Sequence, residues 1–344
     1  MTRLRRVDCS EPGIRRLRRG RGFSYADARG RPITDAETRD RIRGLAIPPA
    51  WEDVWICPQP NGHIQALGTD ARGRRQYRYH DEWRRRRDRE KFDQMVEFAQ
   101  RLPRLRRRTA RQVCGAAPTR ERVLAGAVRL LDRGFFRIGG EEYAEENGTY
   151  GLATMRKDHV RLEPGNVVVF DYPAKGGKRM LQSVVDPDVH RLVAELKRRR
   201  GGSDELLAYK NARRWHDVHS ADINEHVKEL TGGDFTAKDF RTWSATVLAA
   251  VAVAGLDVVS GSRAARKRLV RCAVEEVAHY LGNTPSVCRA SYIDPRVFDR
   301  FDAGATIAAA LERIPAAGLA DPVGRTTIER AVLDLISDEE PPSD

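Results

Sequence analysis

The feature that most constrains this chain is a change of hydrophobic period part-way along it. Between Trp51 and Tyr79 the apolar residues fall in short extended runs: Val54-Trp-Ile-Cys57, His63-Ile-Gln-Ala-Leu67 and Gln76-Tyr-Arg-Tyr79. Turn residues from Pro58 to Gly62 and from Asp70 to Gly73 separate them, a pattern of strands. From Phe92 onward the spacing becomes helical, with Phe92, Met95, Val96, Ala99 and Leu102 on one side. A helix-period pattern does not sit still as a strand, nor the reverse. The 344 residues, enough for two domains, therefore read as α+β. A small β-rich N-terminal domain precedes a larger, mainly α-helical domain that contains a small antiparallel sheet.

The expected divisions are residues 1–80 for the strand-rich domain and 81–103 for a helix bridging into the second. Residues 104–337 form the helical domain, and 338–344 an acidic, proline-containing tail too polar to order. Pro103 and the basic run Arg104 to Arg108 mark the boundary. Before the strands, Gly13 to Gly22 reads as a basic arm, Asp27-Ala-Arg-Gly30 as a turn, and Thr34-Asp-Ala-Glu37 as a capping box. In the second domain, Thr119 to Leu131 is helical. Val160 to Leu162, Asn166 to Asp171 and Met180 to Val185 read as strands, with Pro173-Ala-Lys-Gly-Gly177 as a tight turn. Helices are expected at about 188–199, 220–230, 236–254, 262–281, 285–293, 305–313 and 325–336.

Charge narrows the partner. Lys+Arg number 62 against 49 Asp+Glu, a net +13 that fits a polyanion. Basic runs such as Arg84 to Arg87 suit phosphate contact. The five cysteines are scattered without CxxC pairs, so no zinc ribbon or disulfide framework is indicated. His216-Asp-Val-His219 is the only close histidine pair, with no third ligand nearby in sequence, so no metal site is expected. No apolar run approaches the ~20 residues of a membrane span, and the arginine-rich start lacks a signal-peptide core. A soluble protein of a reducing compartment is expected.

Candidate chemistry gathers late in the chain. Gly282 closes an amphipathic helix, and Thr284-Pro285 opens the next, placing Asn283 in the turn and Tyr292 about two turns into a short helix. Arg289 lies three residues before Tyr292 and shares its face on that reading. Arg137 sits between apolar Phe136 and Ile138, where an arginine needs an anionic partner. Lys175 projects from the glycine-rich hairpin tip. Arg241 lies on a helix capped by Thr236 and buried through Phe240, Val247 and Val251.

Together and in order, these segments resemble the poxvirus-type and bacterial type IB DNA topoisomerases. The resemblance is carried by Phe135-Phe-Arg-Ile-Gly139, Ala174-Lys-Gly-Gly177, Lys238-Asp-Phe-Arg-Thr242, Gly282-Asn-Thr-Pro-Ser286 and Arg289-Ala-Ser-Tyr292. Gly68-Thr-Asp70 and Gly73-Arg-Arg-Gln-Tyr-Arg-Tyr79 are similar to the family's N-domain DNA-contact segment. It covers about residues 20 to 315 and implies the tyrosine recombinase/topoisomerase IB catalytic fold, with two domains that clamp duplex DNA. Viral members carry histidine where this chain has Asn283, as bacterial members do; a neutral amide has no proton-transfer role.

The implied catalytic set is Tyr292 as nucleophile, Arg137, Arg241 and Asn283 on the non-bridging oxygens, and Lys175 as general acid. Gln76, Tyr77, Tyr79, Lys238 and Arg289 are implied DNA contacts. The resemblance implies relaxation of supercoils through a 3′-phosphotyrosyl intermediate, without ATP, metal or other cofactor. A monomer in the cytoplasm, associated with the nucleoid, is expected. A tyrosine recombinase or integrase shares the architecture but usually has histidine three residues before the second arginine, where Lys238 stands. A non-catalytic DNA-binding clamp would account for the charge but leaves Tyr292 and Lys175 unexplained.

Overall fold

A computed structural model describes residues 3–255, 262–314 and 322–337; the expected tail at 338–344 lies outside them. The chain forms two compact units, Met1–Lys91 and Phe92–Asp344.

The first unit is one antiparallel five-stranded sheet with a short helix. Its strands are β1 (Ile14–Arg19), β2 (Gly22–Ala26), β3 (Glu52–Ile56), β4 (Ile64–Thr69) and β5 (Arg75–Tyr79), in the order β2-β1-β3-β4-β5. Helix α1 (Ala36–Gly44) is capped by the Asp35 carboxylate on Thr38 N–H, one residue beyond the expected Thr34. Ile14, Ile42, Val54, Ile56 and Ala66 form its core.

The expected basic arm is strand β1. Its backbone pairs with β2 and β3, Ile14 is buried, and Arg16 is occupied within the fold. The Arg16 guanidinium donates to the carbonyls of Pro48 and Trp51 and stacks on Phe23 at 4.1 Å. Alternation was masked here because arginine fills both faces.

Helix α2 (Asp81–Val113) runs straight through Pro103. A proline inside a helix costs about 3 kcal/mol. Leu102 and Leu105 flank it, both buried, and burying each such side chain contributes roughly 1.5–3 kcal/mol. Phe98, Ala99, Thr109 and Val113 extend the same buried stripe, so packing outweighs the ring. Propensity lost to tertiary burial.

The second unit is mainly helical: α3 (Arg120–Gly134), α4 (Glu141–Asn147), α5 (Pro187–Arg198), α6 (Ser220–Thr231), α7 (Ala237–Ala254), α8 (Arg263–Leu281), α9 (Pro285–Ser291), α10 (Arg296–Asp302), α11 (Ala308–Leu311) and α12 (Pro322–Ser337). Strands β6 (Val160–Glu163), β7 (Val167–Ala174) and β8 (Lys178–Val185) make the expected antiparallel sheet. The hairpin of β9 (Ala208–Asn211) and β10 (Arg214–Asp217), and helices α4 and α10, were not foreseen. Each is four to seven residues, too short for a period to show. Helix α7 lies in the core through Phe240, Trp243, Ala245, Thr246, Ala249 and Ala250. No helix among the described residues is long and apolar enough to cross a membrane.

Candidate active site

The site is assembled where the ends of several elements meet. Helix α3 stops at Phe135, which takes a left-handed conformation (φ 56°) and turns the chain so that Arg137 follows directly. The Arg137 segment is held to the irregular stretch 150–153: Leu152 N–H donates to Arg137 O at 2.8 Å and Ala153 N–H to Ile138 O at 2.7 Å. The two backbones cross at Gly139 and Gly151. A Cβ on Gly151 would stand 2.4 Å from Gly139 Cα and 2.8 Å from Arg137 O, so no side chain fits.

Helix α7 supplies Lys238 and Arg241. Thr236 caps it, with Asp239 accepting from Thr236 N–H at 2.7 Å. Helix α8 ends at Gly282 (φ 63°), and Thr284 with Pro285 starts α9 as expected. Tyr292, however, is not two turns inside that helix. It stands at its C-terminal cap, because α9 is only Pro285–Ser291. Pro295 lies three residues on and disfavours helix at Asp294.

Arg137, Lys175, Lys238, Arg241 and Tyr292 line one cleft of about 260 Å³, with Ile138, Gly139, Gly140, Tyr143, Thr149, Tyr150 and Ala237. Lys175 is exposed on the three-residue turn between β7 and β8, where Gly176 and Gly177 both have positive φ. Arg241 is 5% exposed. Its guanidinium lies 5.3 Å from the Tyr292 ring centre and donates to Phe135 O and to Leu281 O, the latter at 2.9 Å. Arg137 donates to Gly282 O at 3.0 Å and to the Asn283 side-chain carbonyl. Asn283 is thereby brought to the site as expected.

Among the described residues, the acceptors offered to these two arginines are neutral. Arg241 Nε and Asn283 Nδ2 are buried without a hydrogen-bond partner among the described residues. Unpaired buried donors are costly in an ordinary core. Burial, with Arg137 beside it, pulls the Arg241 guanidinium below its usual value. Burial pushes the Tyr292 phenol up, but Arg241, then Arg137 and Lys238, outweigh it, and the hydroxyl lies below the usual tyrosine range. Positive charge, idle donors and an eased phenol suit attack on a phosphodiester.

The other four expected contacts do not line this cleft. Arg289 stacks on Phe298 at 5.2 Å and does not line the cleft; with Tyr292 at the cap, helical spacing no longer gives the two a common face. In the first unit, Tyr77 (40% exposed) and Tyr79 (39%) stack on one face of edge strand β5, ring centres 6.0 Å apart. Gln76 alternates to the other face and donates to Asp70 at 2.9 Å. Sequence reasoning missed Tyr143, Thr149 and Tyr150, whose carriers are the seven-residue helix α4 and an irregular stretch.

Comparison with known proteins agrees with this geometry. Residues 80–310 match the family model of the eukaryotic DNA topoisomerase I catalytic core, and residues 22–70 that of the bacterial DNA topoisomerase IB N-terminal domain. The DNA topoisomerase 1B of Acanthamoeba polyphaga mimivirus is 30% identical over 295 residues, covering 82% of this chain and 85% of its own. DNA topoisomerase 1 of Daucus carota is 26% identical over 160 residues, 46% of this chain and 19% of its own. DNA topoisomerase 1 of Candidozyma auris is 33% identical over 127 residues, 36% of this chain and 16% of its own. The chain belongs to the type IB DNA topoisomerases, and is an enzyme of that class that acts on DNA. The recombinase and passive-clamp readings are not favoured.

Proposed function

We propose that Tyr292 carries the strand-breaking step. The observation that supports this is a half-buried tyrosine whose ring lies 5.3 Å from an arginine that has no carboxylate partner among the described residues, beside buried donors without acceptors there. A phenol of pKa near ~10 is a poor nucleophile at neutral pH, and the field of Arg241 and Arg137 eases its ionisation. In the step, Tyr292 Oη bonds to phosphorus, the P–O5′ bond breaks, and the phenolic proton leaves to solvent. Arg137, Arg241 and Asn283 hold the non-bridging oxygens as charge builds. Lys175 protonates the departing 5′-oxygen, since an alkoxide is a far stronger base than a phenolate.

The product is a 3′-phosphotyrosine and a free 5′-hydroxyl. The phosphoester bond is retained, so rotation followed by reversal closes the strand without ATP. Guanidinium groups provide the positive field that phosphoryl transfer often takes from magnesium, and the step as written uses no metal ion. The strand-rich unit contributes duplex contacts through Tyr77 and Tyr79, and Lys238 adds charge at the cleft. The protein works as a monomer in the cytoplasm, at the nucleoid.

The test is supercoiled plasmid incubated without ATP or magnesium, with the covalent adduct mapped to one residue. Tyr292→Phe keeps the ring's packing, so DNA binding survives while relaxation and adduct vanish. Adduct from that variant would move the nucleophile elsewhere. Alanine at Tyr77 or Tyr79 weakens binding or shifts cleavage-site choice without abolishing chemistry, base–aromatic stacking contributing roughly 1–3 kcal/mol per base. Unchanged affinity and site choice would remove β5 from the DNA interface.

A further inference from the structure

The nucleophile reading leaves one question: what fixes the place of a tyrosine that stands just past a helix end. Capping residues are poorly constrained by their own helix. Around Tyr292 the constraint comes from a different element. Its own N–H donates to Cys288 O at 3.0 Å, and the chain on its far side, Ile293 and Asp294, is fully buried. The Asp294 N–H donates to the hydroxyl of Thr246 at 3.1 Å, and the same hydroxyl lies 3.4 Å from Tyr292 O. Thr246 is itself fully buried and sits on α7. Thr242 O at 3.0 Å is nearer to this hydroxyl than Tyr292 O or Met95 Sδ at 3.5 Å, and a proton donated to Thr242 O leaves a lone pair for the Asp294 N–H.

The clamp continues outward. Asp294 accepts from Arg296 Nε at 3.1 Å and Nη2 at 2.7 Å, and from Arg296 N–H at 2.9 Å. Arg296 Nη1 in turn reaches Asp93 on α2 at 3.3 Å. Thr246 therefore grips the chain within two residues of Tyr292, while the aspartate it grips is pinned from the other side. Helix α7 also carries Arg241, whose guanidinium faces the Tyr292 ring. One rigid helix thus references both the tyrosine's backbone and its nearest cation.

We infer that Thr246 is a positioning residue for strand cleavage: its hydroxyl ties the nucleophile's backbone to the helix that bears Arg241. The inference rests on Tyr292 being the nucleophile. It makes a specific demand, because misplacement of a reacting group by about 1 Å can cost on the order of 100-fold in rate. A residue important only to folding would change how much enzyme is folded, and not the rate of each folded molecule.

The experiment measures single-turnover cleavage and religation at saturating duplex DNA, together with DNA affinity and thermal stability. Thr246→Val keeps the shape and removes the hydroxyl, leaving Asp294 N–H without its acceptor. The expected result is a loss of about 10- to 100-fold in both cleavage and religation, with DNA affinity and the equilibrium fraction of adduct unchanged. Thr246→Ser, which keeps the hydroxyl, restores the rates to near those of the parent. Thr231→Val is the control for stability alone: Thr231 is buried and bonds back to Val227 O at 2.7 Å on α6. It is expected to lower stability and leave cleavage per folded molecule intact. Parental rates in folded Thr246→Val, with Tyr292→Phe inactive, would overturn the positioning role and leave the nucleophile in place. Slow rates in Thr246→Ser equal to those of Thr246→Val would also overturn it. Adduct formation by Tyr292→Phe would overturn both readings together.

Discussion

Two groups of buried or half-buried arginines in the helical unit are treated in opposite ways. Arg106 on α2 and Arg325 on α12 are locked to Asp132 and Glu329, at 2.9 and 2.6 Å for Arg106 and 2.8 and 3.0 Å for Arg325. Among the described residues, Arg137 and Arg241 donate to backbone carbonyls and one amide oxygen, and Arg241 also faces the Tyr292 hydroxyl. The consequences run in opposite directions. Burial lowers Arg106, but Asp132 and Glu329 outweigh it and hold the guanidinium above its usual value. Arg241 has no such acid and is held below. A buried arginine that closes a fold is given its counter-charge within the chain. The two proposed to receive a phosphate are supported by neutral groups, so their charge stays available. Arginine counts in the sequence cannot tell these apart; only the partner's identity can.

The comparison can be broken most severely at Lys175, an exposed cation in the same cleft. If it acts as an acid, Lys175→Ala lowers cleavage by roughly 100- to 10,000-fold. A substrate with sulfur at the 5′-bridging position has a better leaving group, and restores fast cleavage to that variant. Equal defects on oxygen and sulfur substrates would leave Lys175 as charge only. Next in size, Arg241→Ala should slow cleavage by about 100- to 1,000-fold, the usual loss for a transition-state donor. Sulfur should not fully rescue Arg137→Ala, since Arg137 is proposed to hold the non-bridging oxygens. Rescue as complete as for Lys175 would erase that distinction.

The paired group should fail in stability and keep its chemistry. Arg106→Met strips two buried carboxylates of a partner and should cost about 3–5 kcal/mol, read by denaturant unfolding. Cleavage per folded molecule should be unchanged, and a rate loss as large as that of Arg241→Ala would merge the two groups. The smallest effect lies on the acid side. Burial would raise Asp132, but Arg325 and Arg106 outweigh it and keep its folded pKa below the unfolded value of ~3.9. Its contribution is therefore complete above about pH 4 and lost as pH falls below that. Unfolding free energy followed from pH 6 to 2 should drop less steeply in Arg106→Met than in the parent. Parallel slopes would mean the ion pair does not govern acid stability.

Much of this was legible in the residues. The sheet of the first unit declared itself through β3, β4 and β5, whose alternation is punctuated by turns. Arg137, Lys175, Arg241, Asn283 and Tyr292 were named from their segments, and the fold brings four of them into one cleft with Asn283 bonded to Arg137. What escaped was set by tertiary context. Strand β1 hid behind arginines on both faces, and α2 crossed Pro103 because Leu102 and Leu105 are buried on either side. Arg289 does not share a helical face with Tyr292, because helical spacing was extended past the point where α9 ends. Thr246 gave no local signal; besides Thr242 O on its own helix, its partners at the tyrosine lie 46 and 48 positions away.

The crossing of Gly139 and Gly151 has a consequence for how variation in this gene should be interpreted. A hydrogen atom has no acid, charge or affinity for DNA, yet replacing the one on Gly151 with a methyl group drives the backbone away from Arg137 O. An alanine scan would score Gly151 alongside the residues that perform the chemistry. A genetic map of this enzyme therefore charts where space is forbidden as well as where bonds are made, and the two maps coincide at the arginine.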